Sequence, residues 1–278
     1  MKKIIALILA MMMVLALGAC GNEKAGDDIN AKSEGVMTYA EYAAAADDTS
    51  LVVSGVISGI FSKTNGSSGN GMYIQDVKGE GGYYVYGFAD GKDPEADLGL
   101  KVGMSVIVTG VKDTYNGLYE IINASVEITN SELTKVEPID YTEIYKSAES
   151  LSAEALVGKQ SMLVTIKGVE IGTQDLEKDT SQYLYFAIGE KTGYVRTYIT
   201  DFPTTLEITT DENGNAIGSP AKDAIDADHA AHFGYKADVT GILILYNGAP
   251  YLIPMSTTPF TNYVEVIKTP AEKVADEK

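Results

Sequence analysis

The chain has 18 tyrosines, no tryptophan and a single arginine, and in two stretches tyrosine or arginine occupies every second position. These are Tyr183-Leu-Tyr185-Phe and Tyr194-Val-Arg196-Thr-Tyr198. In a strand, successive side chains point to opposite faces. Leu184, Phe186 and Ile188 would therefore face a core together with Val195, Thr197 and Ile199. Tyr183, Tyr185, Tyr194, Arg196 and Tyr198 would then share the outer face. The first half of the chain offers Tyr73 and Gln75, with Tyr84, Tyr86 and Phe88, while Tyr115 and Tyr246 each precede an Asn-Gly pair. Exposed tyrosine rings stack on bases or on sugar faces, each base contact contributing about 1–3 kcal/mol. Tyrosine is also a good half-buried strand residue, so packing alone would produce the same pattern.

Two other groupings invite a metal. Asp211-Glu-Asn213-Gly-Asn215 begins like a calcium loop, but Ala216 stands where such a loop needs glycine and Lys222 where it needs its last glutamate. A turn-rich hairpin tip is the simpler expectation. Asp223, Asp226, Asp228, His229 and His232 form the second grouping, and its two histidines, the only ones in the chain, lie one helical turn apart. Without a third firm ligand, the expectation is a solvated short helix with no bound metal and no other cofactor. The chain has no Gly-x-Ser-x-Gly, no phosphate-cradling glycine loop and no His-Glu-x-x-His. Ser67 and Ser68 have no base legible beside them. A non-catalytic protein is expected.

The elements that would carry these residues occur twice. Gly103, Gly110, Tyr115, Asn116 and Gly117 return as Gly234, Gly241, Tyr246, Asn247 and Gly248, each 131 positions later. Each copy reads as a strand with a glycine kink, an Asn-Gly turn and a second strand. Both central positions of a type I′ hairpin turn need positive φ, which Asn-Gly supplies, and a glycine inside a strand marks a bulge or a sharp bend. Upstream of the first hairpin, Leu51 to Phe61, Met72 to Val77 and Tyr83 to Ala89 read as strands. Ser161 to Ile171, Tyr183 to Ile188 and Tyr194 to Thr200 repeat them, and Phe260 to Lys268 can add an edge strand. Thr38 to Ala46 reads as a short helix with Thr38 and Glu41 at capping-box spacing. Asp140-Tyr141-Thr-Glu143 opens the second half in the same way.

Five short strands with a bent first strand, an interval before the fourth and a closing hairpin describe an OB-fold barrel. The pattern Val-x-Gly-Val, Tyr-Ile-Gln-Asp, Val-Tyr and then Gly-x6-Gly-x4-Tyr-Asn-Gly resembles the OB-fold modules of secreted bacterial proteins. Such modules occur in cell-surface lipoproteins and beside the catalytic domains of extracellular nucleases. The resemblance covers Thr38 to Ile128 closely and Asp140 to Tyr263 more loosely, with Phe186-Ala187 set against Gln75-Asp76. It implies an all-β protein of two tandem five-stranded barrels, each preceded by a short helix. On that fold the face of strands two and three is the usual binding surface.

Lys2 and Lys3 precede an apolar run of 14 residues, Ile4 to Leu17, and then Leu17-Gly18-Ala19-Cys20. The sequence resembles a bacterial lipobox, which implies cleavage before Cys20 and a diacylglycerol anchor on its sulfur. The expected layout is a signal peptide at 1–19, a flexible tether at 20–36, barrel domains at 37–133 and 134–268, and a disordered charged tail at 269–278. Cleavage would leave 19 basic against 39 acidic residues, a formal charge of −20. Strong acidity disfavours a nucleic-acid backbone, which is held by aligned cations. The expected protein is an extracytoplasmic lipoprotein of the bacterial cell membrane, displaying aromatic faces to a glycan or a protein. An accessory role in extracellular nucleic-acid processing is the alternative, and a basic stripe around Arg196, Lys191 and Lys167 would favour it. A structural envelope component would show one large apolar patch per domain instead.

Overall fold

The computed structural model describes residues 35–76, 81–147, 159–172 and 182–266. The leader, Cys20, most of the tether and the charged tail lie outside the described residues.

A short helix α1 (Tyr39–Ala44) leads into β1 (Ser50–Phe61), β2 (Gly71–Gln75), β3 (Gly82–Tyr86), β4 (Ser105–Tyr115) and β5 (Leu118–Asn130). These five strands close in the order β1-β2-β3-β5-β4, with β1 also paired to β4 and β3 running parallel to β5. This is the OB topology. A short strand β6 (Ile139–Asp140) and helix α2 (Thr142–Ser147) precede the second copy: β7 (Met162–Ile171), β8 (Tyr183–Ile188) and β9 (Lys191–Arg196). A small hairpin, β10 (Thr209–Thr210) and β11 (Ala216–Gly218), and helix α3 (Pro220–Ala231) fill the interval before β12 (Lys236–Tyr246) and β13 (Ala249–Ile253). The pairing of β12 with β7 closes this barrel as well, while β6 and β14 (Phe260–Val264) extend its sheet.

The duplication is visible in the backbone. Asn116 and Gly117 have φ of 51° and 90°, and Asn247 and Gly248 have 52° and 75°, as a type I′ turn requires. Gly110 and Gly241 occupy equivalent corners. A Cβ on Gly110 would lie 2.9 Å from the Ile122 carbonyl oxygen, and one on Gly241 would lie 2.6 Å from that of Ile253. The same carbonyl thus forbids a side chain at the same place in both repeats.

Each barrel is plugged by its own helix. Thr38 caps α1 with the expected reciprocal box, its hydroxyl accepting from Glu41 N–H while the Glu41 carboxylate accepts from Thr38 N–H at 2.7 Å. Tyr39 and Tyr42 are buried against Tyr83 in the first core. The Lys112 ammonium closes the other end of α1 by donating to the carbonyls of Ala43 and Ala45, at 3.1 and 2.6 Å, with the Tyr119 ring 4.3 Å away. In the second barrel Tyr141 and Tyr145 are buried, and Lys191 donates to the carbonyls of Tyr145 and Lys146.

Three details depart from the sequence reading. The third strand of the second barrel begins at Lys191 and ends at Arg196, because the chain turns into a 3-10 helix at Ile199–Asp201. The Asp223–His232 stretch is helical up to its C-cap at His232, but it is not simply solvated: His229 is buried, its Nε2 3.0 Å from the Tyr185 carbonyl oxygen and its ring 5.6 Å from that of Phe260. The strand register also sets Gln75 opposite Gly82 and Ala187 opposite Thr192, two residues beyond the Tyr73–Tyr84 and Tyr185–Tyr194 pairs. Gln75 therefore corresponds to Ala187 rather than to Phe186.

Candidate functional site

The outer face of the first barrel carries one continuous cross-strand row. Tyr73 on β2 is opposite Tyr84 on β3, Tyr84 is beside Glu120 on β5, and Glu120 is opposite Asp113 on β4. Such neighbours have their side chains in contact range, and the rings of Tyr73 and Tyr84 stack at 4.5 Å with 20° between their planes. The corresponding row of the second barrel is Tyr185, Tyr194, Tyr251 and Ile244. Ring centroids there are 4.7 Å apart for Tyr185 and Tyr194 and 5.7 Å for Tyr194 and Tyr251.

The two rows do not both face solvent. Ile242, Ile244 and Ile253 of the second barrel pack on Phe61, Tyr73 and Leu118 of the first in a separate apolar cluster. Polar bonds tie down its margins. Gln75 Oε1 accepts from Leu163 N–H at 2.8 Å, Gln160 bridges Tyr119 N–H and the Gly117 carbonyl, and Asn247 N–H donates to the Asn116 carbonyl at 2.9 Å. The last bond joins the two equivalent hairpin tips. Tyr73 and Gln75, expected on an open binding face, are therefore buried at 2% and 4% exposure between the barrels. Strand alternation does place them on the outer face; the second barrel then covers that face.

Beside this interface a cleft of about 490 Å³ remains open. Tyr84, Tyr86, Tyr115 and Tyr246 line it, with Glu120 and Asp113 on one side and Arg196 and Asp201 on the other. Tyr86 and Tyr115 are 44% and 56% exposed, so their rings stand at the mouth. Arg196 is not an exposed cation. Its Nε donates to the Asp201 carboxylate and a terminal nitrogen donates to Tyr183 Oη at 3.1 Å. The rings of Tyr198, Tyr246, Tyr183 and Tyr251 lie 4.8 to 5.8 Å from the guanidinium carbon, within the range of cation–π attraction. The arginine thus joins the cleft to the half-buried tyrosines of the second barrel. The result is an aromatic band from Tyr84 and Tyr86, through Tyr246 and Arg196, to Tyr183, Tyr251, Tyr194 and Tyr185.

Charge on the cleft wall is uneven. Glu120 is 5% exposed, and burial, followed by the nearby Asp113 carboxylate, pushes its carboxyl up to about 7. Among the described residues, no donor or cation is bonded to it. Burial also holds the Tyr84 phenol well above its ordinary value, with Glu120 and Asp201 adding to the effect. Three carboxylates, Asp113, Glu120 and Asp201, share the wall with one guanidinium.

Of the residues singled out by sequence, Tyr84, Tyr86, Tyr115, Arg196 and Tyr246 meet in the cleft. Tyr183, Tyr185 and Tyr194 form the adjoining platform, and Tyr198 packs on Arg196. Phe88 is buried in the first core. The sequence reading passed over Glu120, Asp113, Asp201 and Tyr251. The first two were within reach, because the Asn116-Gly117 turn fixes the register that sets Asp113 opposite Glu120.

The metal candidates have other partners. Asp211 accepts from the backbone N–H groups of Asn213 and Asn215 and from the Asn215 amide at the tip of the β10–β11 hairpin. His232 stacks on Tyr263 at 3.8 Å with its Nδ1 facing Asp228, and Asp226 pairs with Lys222. No group of three or more metal-ligating side chains is assembled among the described residues, and none of their helices is long and apolar enough to cross a membrane.

No family model matches the sequence, and no curated protein is significantly similar to it. Among solved structures, the chain is similar to "Crystal structure of Ifi202 HINa domain in complex with 20bp dsDNA", at 13% identity over 79% of this chain and 98% of that one, with a TM-score of 0.30. It is also similar to "Structural mimicry for functional antagonism", at 14% identity over 75% and 89% of the two chains with a TM-score of 0.31. A third is "Molecular basis for abrogation of activation of pro-inflammatory cytokines", at 14% identity over 75% and 90% with a TM-score of 0.29. Likeness at this level transfers no ligand to the present chain.

Proposed function

We propose that this protein is a non-catalytic binding module that holds a glycan along the tyrosine band, and that lipid on Cys20 tethers it to the outer side of the bacterial cell membrane. The observation that carries the reading is the band itself, whose tyrosines line both walls of the cleft and continue through Arg196 to the platform of the second barrel. A sugar ring has an apolar face and a rim of hydroxyls. Its recognition calls for aromatic walls with a few fixed polar groups, and the cleft supplies Tyr86, Tyr115 and Tyr246 beside the immobilised Arg196–Asp201 pair.

A nucleic-acid ligand has less support. The three cations whose stripe would favour it are engaged: Arg196 with Asp201, Lys167 with Asp140, and Lys191 with two helix-end carbonyls. A phosphate backbone would meet Asp113, Glu120 and Asp201 on the cleft wall.

The test is binding of the full chain, in detergent micelles, to an array of neutral, acidic and amine-bearing oligosaccharides. Tyr86→Ala and Tyr246→Ala should each weaken binding roughly 5- to 150-fold, the equivalent of about 1–3 kcal/mol per stacking contact. Silence on the array, with single-stranded DNA binding that falls steeply between about 50 and 200 mM salt, would replace this reading with the nucleic-acid one. For the anchor, Cys20→Ala should move the protein from the membrane fraction to the soluble one.

A further inference from the structure

Glu120 is the feature of the cleft that a neutral sugar leaves unexplained. A buried carboxylate is ordinarily paired or bonded, and the other acids nearby do have a counter-charge or solvent: Asp201 holds Arg196, and Asp113 is only half-buried. Glu120 is 5% exposed and lines the open cleft, and among the described residues no donor or cation is bonded to it. Around it stand Asp113 on β4, Tyr84 and Tyr73 on the β3 and β2 side, and the Arg196–Asp201 pair across the cleft. The single cation in that set is already neutralised by Asp201. What remains is two carboxylates and the faces of Tyr84 and Tyr86, a combination that attracts a positive charge through both ion pairing and the ring quadrupole.

We propose that the ligand carries an ammonium group, that Glu120 is its counter-ion, and that the glycan is therefore one with free amino sugars. This rests on the glycan reading above and narrows it. N-acetylation of the same sugar would remove the charge and leave Glu120 buried beside an amide. Of amine-bearing ligands, an amino sugar fits best, because it combines the charge with ring faces for the remaining tyrosines of the band.

Burial and the Asp113 carboxylate hold the carboxyl of Glu120 up to about 7, so capture of an ammonium near that pH expels a proton from it. This gives a readout that packing alone would not move. Calorimetry at about pH 6, where the amino-sugar nitrogens and Glu120 both start largely protonated, should measure binding of the full chain, in detergent micelles, to a β-1,4-linked glucosamine tetramer and to its fully N-acetylated counterpart. The free-amine tetramer should bind about 10- to 100-fold more tightly, the worth of one charge-assisted hydrogen bond. Its binding heat should change with the ionisation enthalpy of the buffer, reporting proton release. Glu120→Gln should bring the two tetramers to within about twofold and abolish the proton release.

Equal affinity of the wild-type chain for both tetramers would overturn the amine assignment and leave the glycan reading standing. Failure of every oligosaccharide would overturn both. A preference for the amine that survives in Glu120→Gln would mean that the chain's overall acidity attracts it, and would overturn the role of Glu120. Binding of an oligolysine peptide in place of either tetramer would move the site to a basic protein partner.

Discussion

Replacing Glu120 by glutamine should stabilise the protein, by an amount that depends on pH. The carboxyl sits at an ordinary value near 4.5 in the unfolded chain and at about 7 in the folded one, because burial and the neighbouring Asp113 disfavour the charge. An acid raised in this way binds its proton more tightly when folded. Between the two values the folded state holds a proton that the unfolded chain has released, so stability falls as pH rises from about 4.5 to 7. Above that range the whole penalty is present; below it, both states are neutral and the penalty is gone. A difference of about 2.5 pH units corresponds to roughly 3 kcal/mol. Glutamine matches the neutral acid in shape and never ionises. The variant and the wild type should therefore unfold alike in urea at pH 4, and the variant should be more stable by roughly 3 kcal/mol at pH 8. For a unit of this size that is about 6–12 °C in Tm. Asp113→Asn should recover part of the same gain, because it removes the second cause and leaves burial. Taking the difference between variants cancels the other titrating groups. A gap between Glu120→Gln and wild type that stays flat from pH 4 to pH 8 would refute the buried-carboxylate account.

Three further substitutions probe the scaffold. Lys112→Met would leave the carbonyls of Ala43 and Ala45 without their donor and should cost about 2 kcal/mol in urea unfolding, with α1 losing amide-exchange protection first. Gly241→Ala would push a methyl group against the Ile253 carbonyl, to which a Cβ would be only 2.6 Å away. It should cost about 1–3 kcal/mol, and an unchanged Tm would contradict that close approach. Tyr42 carries a buried hydroxyl with no hydrogen-bond partner among the described residues, so Tyr42→Phe should be neutral or stabilise by up to about 1 kcal/mol in the same assay.

The barrels were legible because their signals are local. Asn116-Gly117 and Asn247-Gly248 set two hairpins, period-two alternation set the inner faces, and Thr38 with Glu41 set the first helix. Each is a relation between residues a few positions apart, and the constant offset means that the pattern of one half supports that of the other. The site was only half legible, because it depends on how one barrel meets the other. Nothing in Tyr73-Ile74-Gln75 distinguishes an outward tyrosine that meets solvent from one that meets Ile242 and Ile253 more than 160 positions away. His229 and Arg196 show the same limit. Their residue types suggested a ligand, but distant partners occupy them: the Tyr185 carbonyl and Phe260 for His229, and the rings of Tyr246 and Tyr251 for Arg196, whose ion-pair partner Asp201 is only five positions away.

Comparison of the repeats suggests how the cleft came to be charged. Asp113 and Glu120 correspond to Ile244 and Tyr251 under the 131-residue offset, and both pairs are cross-strand neighbours in the same register. One barrel uses the positions for apolar packing: Ile244 belongs to the inter-barrel cluster and Tyr251 to the aromatic platform. The other keeps two carboxylates there, at the edge of the same interface, where an isoleucine could have extended the apolar contact. Two adjacent acids in a part-buried row lower stability at neutral pH, as the Glu120 linkage quantifies. The interface has apolar residues enough without them, since Phe61, Tyr73, Leu118, Ile242 and Ile253 already meet there. A destabilising pair retained beside an open cleft is the pattern expected of a binding site rather than of a seam. Asp113→Ile with Glu120→Tyr, which copies the second repeat onto the first, should therefore raise stability at pH 8 and abolish binding of the glucosamine tetramer. Retained binding in that double variant would place the ligand on the Tyr185–Tyr194 platform instead.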